Sequence, residues 1–212
     1  MSLQKEAQLS QQNKAQLQSK EQQQDELTTK PLKILFVCTH NRCRSILSEV
    51  ISNQMAAGLI EAQSAGSDPA DQVHPLTLEY LANNGYDISG LHSKSWQSLA
   101  GSFSPDVVIT VCDQAAGERC PLWLGSVPKL HWGLADPSRL ATASLAVNAA
   151  QARQDRTSEQ QQRYEQEQQI AHAFSRCMAA IESRVEQLIP IALLPQKQRI
   201  TALNTLIKDC SK

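Results

Sequence analysis

From residue 31 onward, short apolar runs alternate with stretches whose apolar positions recur three and four residues apart. The first run, Lys33-Ile34-Leu35-Phe36-Val37, reads as a strand, and the face Ile46, Leu47, Val50 and Ile51 predicts a helix over Ser45–Ala57, ended by Gly58. Glu61–Ala65 predicts a second strand, followed by the turn residues Gly66-Ser67-Asp68-Pro69. A helix over His74–Asn83 stops at Asn84-Gly85, and a short one is expected around Ser95–Ala100. Pro105-Asp106 introduces the strand Val107–Val111, and a fourth strand is Lys129–Trp132. Farther on, Ile170, Phe174, Ile181, Val185 and Leu188 recur at intervals of four or seven, the spacing of one buried helix face, and a last short helix follows Pro195. Strands that are apolar throughout and alternate with helices belong to a parallel sheet covered on both faces. Right-handed crossovers favour the flavodoxin-like order 2-1-3-4, which places a ligand site at the strands' carboxyl ends between the first and third strands.

Composition changes this picture at two places. Residues 1–30 are Gln-rich with mixed Lys and Glu and no aromatic, which reads as a disordered or helical tail closed off by Pro31. A second Gln-rich stretch, Gln151–Gln169, marks a helical insertion at about 143–169 within a single α/β domain spanning 31–212. These appendages dilute the overall 41% hydrophobic and 4% aromatic content. A net charge of −1 gives no reason to expect nucleic acid or an anionic membrane surface. No run approaches the roughly 20 apolar residues of a membrane span, and no leader segment is visible, so the expected location is cytoplasmic. There, six cysteines are expected to be reduced and reactive rather than structural disulfides.

The chemistry is concentrated where the first strand ends. Cys38-Thr39-His40-Asn41-Arg42-Cys43-Arg44-Ser45 is a C-x5-R loop that begins with a thiol, ends with a guanidinium and runs into a helix. Successive backbone N–H groups entering a helix form a nest for the oxygens of a tetrahedral anion, and Arg44 adds a planar fork. The same positive field is expected to lower the Cys38 pKa and hold it largely as thiolate at neutral pH. Ser45 offers a helix start and a hydroxyl to stabilise the sulfur, and Asn41 tolerates the left-handed backbone that a tight loop needs. Cys43 reads either as a small buried hydrophobe or as a redox thiol.

Topology brings two further segments to the same rim. The third strand empties into Val111-Cys112-Asp113, with Cys120 eight residues after Cys112, and Asp136 follows the fourth strand. The cysteine pair admits three readings. A zinc site is disfavoured because such sites usually begin with C-x2–4-C. The other two are inert buried thiols and a dithiol that closes. In a continuous helix the two would stand about 12 Å apart at about 1.5 Å per residue. Disulfide closure needs Cα atoms within about 7 Å, so the segment would have to unwind, which Gly117 would ease.

CTHNRCRS, VITVCD…CP and HWGLADPS, in this order, closely resemble arsenate reductases built on the low-molecular-weight tyrosine-phosphatase fold. The resemblance covers roughly Lys33–Trp132, Asp136-Pro137 and the helix near Ala171–Leu188. It implies Cys38 as nucleophile and Ser45 as its support. Arg44 and the loop Thr39, His40, Asn41, Arg42 and Cys43 would bind the oxyanion. It further implies Asp136 as general acid and a Cys38/Cys112/Cys120 disulfide relay that turns arsenate into arsenite. No cofactor would be tightly bound; the electrons would come from thioredoxin, or from glutathione with glutaredoxin. Some members of that family bind potassium beside the loop. Asn41, Glu49 and Ser64 fall at ligand positions, but Lys94 stands where those members carry an acid, so no metal is expected. Two other readings compete: a phosphotyrosine phosphatase using the same loop and Asp136, and a non-catalytic thiol redox sensor. Against the phosphatase, Asp136-Pro137 is followed by Ser138-Arg139-Leu140 rather than by tyrosines that would sandwich a phenyl ring.

Overall fold

The structure is a computed structural model that describes residues 30–112, 124–125, 127–140 and 156–210. The Gln-rich tail to residue 29, the segment that carries Cys120, and residues 143–155 of the expected insertion lie outside the described residues.

Four parallel strands form the sheet: β1 (Leu32–Cys38), β2 (Ile60–Gly66), β3 (Val107–Thr110) and β4 (Lys129–His131), in the order β2-β1-β3-β4. β1 is buried along almost its whole length and pairs on both sides, with Val37 opposite Ala65 and Thr110. An interior parallel strand has helices on both faces and neighbours on both edges, so Ile34–Cys38 is apolar at every position and period-two alternation disappears. β3 and β4 each stop one residue earlier than the apolar runs suggested. Val111 and Trp132 are still held, by Val111 N–H to the Val37 carbonyl and Trp132 N–H to the Thr110 carbonyl, as the chain turns off the sheet.

The helices are α1 (Arg44–Met55), α2 (Pro75–Asn83), α3 (Arg156–Ala192) and α4 (Gln196–Cys210), with a 3₁₀ turn at Trp96–Leu99 where a short α-helix was expected. His74 caps α2, its Nδ1 accepting from the Leu76 N–H, and Pro75 occupies the first position, where a missing N–H costs nothing. α3 begins inside the Gln-rich stretch. From residue 160 to 169 it is polar and mostly exposed, and it acquires a buried face only from Phe174 onward. That face packs against α1, and Tyr80 of α2 stacks on Phe174 with ring centroids 4.3 Å apart. The last helix has 15 residues rather than being short. Arg199 turns back from it, buried, and donates to the Ala192 and Leu194 carbonyls, which are orphaned at the end of α3. Among the described residues no helix is long and apolar enough to cross a membrane.

Candidate active site

The loop between β1 and α1 is shaped from outside. The carbonyls of Thr39, His40 and Arg42 accept from the backbone N–H groups of Asp68, Ala70 and His74, at 2.9, 3.0 and 2.9 Å. The Ser93 hydroxyl also donates to the His40 carbonyl. In a trans peptide the next N–H points opposite to the carbonyl, so the amides of His40, Asn41 and Cys43 are turned to the loop's inner side. One of them is seen at work: Asn41 N–H donates to Cys38 Sγ at 3.1 Å. Asn41 has φ 42°, the left-handed conformation expected of it. Gly66 permits this closeness, because a Cβ there would stand 2.5 Å from the Thr39 carbonyl oxygen.

Cys38 is buried where β1 ends, with Ser45 Oγ at 3.0 Å and the Ser45 backbone N–H also directed at the sulfur. The helix starts one residue before Ser45, and Cys43 at its N-cap makes no side-chain capping bond. First-turn N–H groups that a cap would ordinarily occupy are thereby left to the sulfur and to an incoming anion. The expectation of a depressed Cys38 pKa is corrected here. Burial pushes the thiol up, outweighing the Ser45 and Asn41 hydrogen bonds, and the nearby Cys112 adds to the rise. The physical reason is burial, and Arg44 is not among the groups that offset it, since its guanidinium is engaged elsewhere. Its Nη2 contacts Asp136 Oδ2 at 3.1 Å and its Nη1 donates to the Leu134 carbonyl at 3.0 Å.

That clasp is well sheltered, the two side chains being 15% and 12% exposed. Asp136 is held by a local turn as well, its Oδ1 accepting from the Ser138 N–H and from the Ser138 hydroxyl at 2.7 Å. The whole segment is drawn to the site by Leu134 N–H, which donates to the Val111 carbonyl at the β3 exit. Arg44 Nε is buried with no hydrogen-bond partner, so the fork retains a donor for an anion.

Cys112 is buried beside the loop, with Thr39 Oγ1 at 3.8 Å from its Sγ. The structure thus brings Cys38, Arg44, Ser45, Cys112 and Asp136 to one rim; Cys120 lies outside the described residues. The remaining loop side chains separate. His40 is exposed and turned to Asp68, with Nδ1 at 3.0 Å from its carbonyl oxygen. Arg42 is partly buried, and its nearby charge helps burial depress His74 below the usual imidazole value. Cys43 is buried against Thr77 and near Cys177, and burial raises its thiol far more than its neighbours lower it. Cys43 can therefore serve an anion only through its amide.

Beneath the loop, Lys94 Nζ meets Glu49 Oε2 at 3.2 Å, both side chains 11% exposed, and Ser64 Oγ donates to the same carboxylate oxygen. Asn41 joins this cluster to the loop through Nδ2, which donates to Ser64 Oγ and Ser45 Oγ at 2.8 and 2.9 Å. Among the described residues no group of three or more His, Cys, Asp or Glu side chains is gathered as metal ligands. Sequence reasoning missed Thr39 as the neighbour of Cys112, and Ser138 and the Leu134 carbonyl as partners of Asp136 and Arg44. Ser138 had a signal, since Asp-Pro-Ser is an Asx-turn pattern in which the carboxylate accepts from the N–H two residues on.

Known proteins are similar to this chain in sequence and fold. Arsenate reductase 2 of Staphylococcus epidermidis is 33% identical over 105 residues, 50% of this chain and 78% of that protein. The glutaredoxin arsenate reductase of Synechocystis is 32% identical over 105 residues, again 50% of this chain and 78% of that protein. A solved arsenate reductase in the phosphate-binding state superposes with a TM-score of 0.53 at 26% identity, covering 74% of this chain and 96% of that one. The family model for low-molecular-weight phosphotyrosine protein phosphatases matches residues 33–200, most of the chain. With the four-stranded sheet and the C-x5-R loop in place, this chain belongs to the low-molecular-weight phosphotyrosine protein phosphatase family.

Proposed function

We propose that the protein reduces arsenate to arsenite in the cytoplasm, as a detoxifying enzyme supplied with electrons by an external thiol reductant. The observation that carries this reading is the placement of a second cysteine at the nucleophile's rim, with Cys112 Sγ 3.8 Å from the hydroxyl of Thr39, the residue next to Cys38. A hydrolase of phosphate esters has no use for that thiol. The names of the relatives point the same way.

Arsenate enters the loop as a tetrahedral anion, its oxygens received by the inward amides and by Arg44. To reach it, the guanidinium leaves Asp136 and the Leu134 carbonyl, so one movement brings in the clamp and frees the carboxyl group. Cys38 gives up its proton, its sulfur bonds to arsenic, and one oxygen departs as water with a proton delivered through Asp136. Cys112 then attacks the Cys38 sulfur. The sulfur–arsenic bond breaks with its electron pair staying on arsenic, which becomes arsenic(III) and leaves as arsenite, and a Cys38–Cys112 disulfide remains. Cys120 attacks Cys112, returning Cys38 as a thiol and leaving a Cys112–Cys120 disulfide. Two thiols have lost two electrons and arsenic has gained them. A protein dithiol such as thioredoxin, rather than glutathione with glutaredoxin, suits a relay that ends in an intramolecular disulfide.

Arsenate-dependent NADPH consumption tests the proposal, with thioredoxin and thioredoxin reductase in one assay and glutathione, glutaredoxin and glutathione reductase in the other. Turnover is expected in the first, with loss in Cys38→Ser, Cys112→Ser and Cys120→Ser alike. A Cys120→Ser variant that reduces arsenate as fast as the native protein with the same donor overturns the relay.

A further inference from the structure

We infer that the Arg42 guanidinium, with His74 beside it, is a receiving station for the tetrahedral anion. It meets arsenate at the mouth while Arg44 is still held by Asp136, then passes it to the amide nest. The inference rests on the proposed use of the Cys38 loop for arsenate, and it adds a side chain that this chemistry leaves without a task.

The loop carries two arginines in opposite situations. Arg44 is engaged by Asp136 and the Leu134 carbonyl. The ion pairs among the described residues take up Lys33, His40, Arg44 and Lys94, and Arg42 is in none of them. Its Nε is buried without a hydrogen-bond partner among the described residues. A guanidinium does not shed its charge, and a donor withdrawn from water with nothing to receive its hydrogen costs the fold stability. An anion arriving from outside supplies the missing acceptor. Residue 42 stands between the inward-turned amides of Asn41 and Cys43, at the wall of the nest, while its carbonyl is tied back by the His74 N–H at 2.9 Å.

His74 places the station near the clasp. Burial depresses its imidazole, the Arg42 charge adds to the fall and Asp136 opposes it, so the ring lies within reach of both charges. Its Nδ1 accepts from the Leu76 N–H, so the hydrogen of the neutral ring is on Nε2, a second donor for the same anion. A charge at the rim of a site acts on encounter and on its salt dependence, and it holds bound substrate and transition state alike. Arg42 thus governs capture, and Arg44 governs grip.

The test measures inorganic phosphate binding by calorimetry at low and high sodium chloride, beside arsenate turnover. Arg42→Met is expected to raise the phosphate dissociation constant about tenfold and KM for arsenate by a similar factor, with kcat within about twofold of native. The loss of affinity with added salt should become shallower than in the native protein. Arg42→Lys keeps the charge without the planar fork, and should restore the salt dependence and part of the affinity. Arg42→Gln, uncharged and polar, gives the same reading should the methionine variant fail to fold. His74→Asn keeps an acceptor for the Leu76 N–H and should weaken phosphate about two- to threefold. Native-like phosphate affinity and salt dependence in folded Arg42→Met or Arg42→Gln overturns the inference, as does a loss confined to kcat; unchanged binding in His74→Asn overturns the share given to His74. Weakened phosphate binding in these variants, together with a native protein that does not turn arsenate over, would support the station and overturn the reduction reading.

Discussion

Two thiols of one short loop, Cys38 at its mouth and Cys43 at its base, show what separates a reactive sulfur from a packed one. Both are buried and burial raises both. Cys38 collects the Asn41 N–H, the Ser45 N–H and the Ser45 hydroxyl, whereas Cys43 lies against Thr77 and near Cys177, with no backbone donor aimed at its sulfur among the causes that act on it. Burial is therefore common to the pair, and the count of donors aimed at the sulfur is what differs. Arg44, paired with Asp136, is felt by the Cys43 and Cys177 thiols and is not among the groups that shift Cys38.

The sharpest break of the comparison is a pair of substitutions. Cys38→Ser should lower arsenate turnover by about 10³-fold or more, since a hydroxyl neither ionises readily nor forms the disulfide. Cys43→Ala should stay within about threefold of native turnover and cost about 1 kcal/mol of stability in urea titrations. Equal losses in the two variants would abolish the distinction.

Gly66→Ala probes the frame that aims the donors. A Cβ 2.5 Å from the Thr39 carbonyl oxygen forces the β2 end and the loop apart, so unfolding free energy should drop by about 1–3 kcal/mol and phosphate should bind more weakly by calorimetry. Native stability in this variant would show that the loop has room to relax.

The base of the loop also carries a pH signature. Burial raises Cys43, and pushes Cys177 up to about 11. Unfolded thiols ionise near about 8.5, so above that pH the unfolded chain binds fewer protons than the native one and stability declines until the folded thiols ionise as well. Urea midpoints should fall between pH 8 and pH 10.5, and the fall should be shallower in Cys43→Ala and in Cys177→Ala. A slope unchanged in both would place the alkaline loss elsewhere, for instance at Tyr86, which is raised to about 12 by burial and by its bond to Glu182.

β1 and β3 were legible because each carries an uninterrupted apolar run, and the Cys38–Ser45 loop because a strand, a thiol, an arginine and a helix follow one another without a gap. The Lys94–Glu49 pair could be anticipated only through the family resemblance. No local pattern ties residue 49 in a helix to residue 94 in a connection, and their meeting depends on β2 running between them. The clasp of Arg44 on Asp136 was not legible at all. It depends on how the chain leaves β4, where Gly133 takes φ 52° and Leu134 bonds to Val111, and a sequence shows neither. Nor does the sequence show how deeply Cys38 is buried, which is what raises its thiol.

Because the carbonyls of residues 39, 40 and 42 are tied down by the neighbouring segments, the loop is a mould set at folding rather than one drawn closed by its cargo. Such a mould favours tetrahedral anions whatever atom sits at their centre, so phosphate and sulfate should compete with arsenate for it. Arsenite is a pyramidal acid, uncharged near neutrality, and offers that crown of amides neither the shape nor the charge it was set for, so reduction itself supplies the means of release.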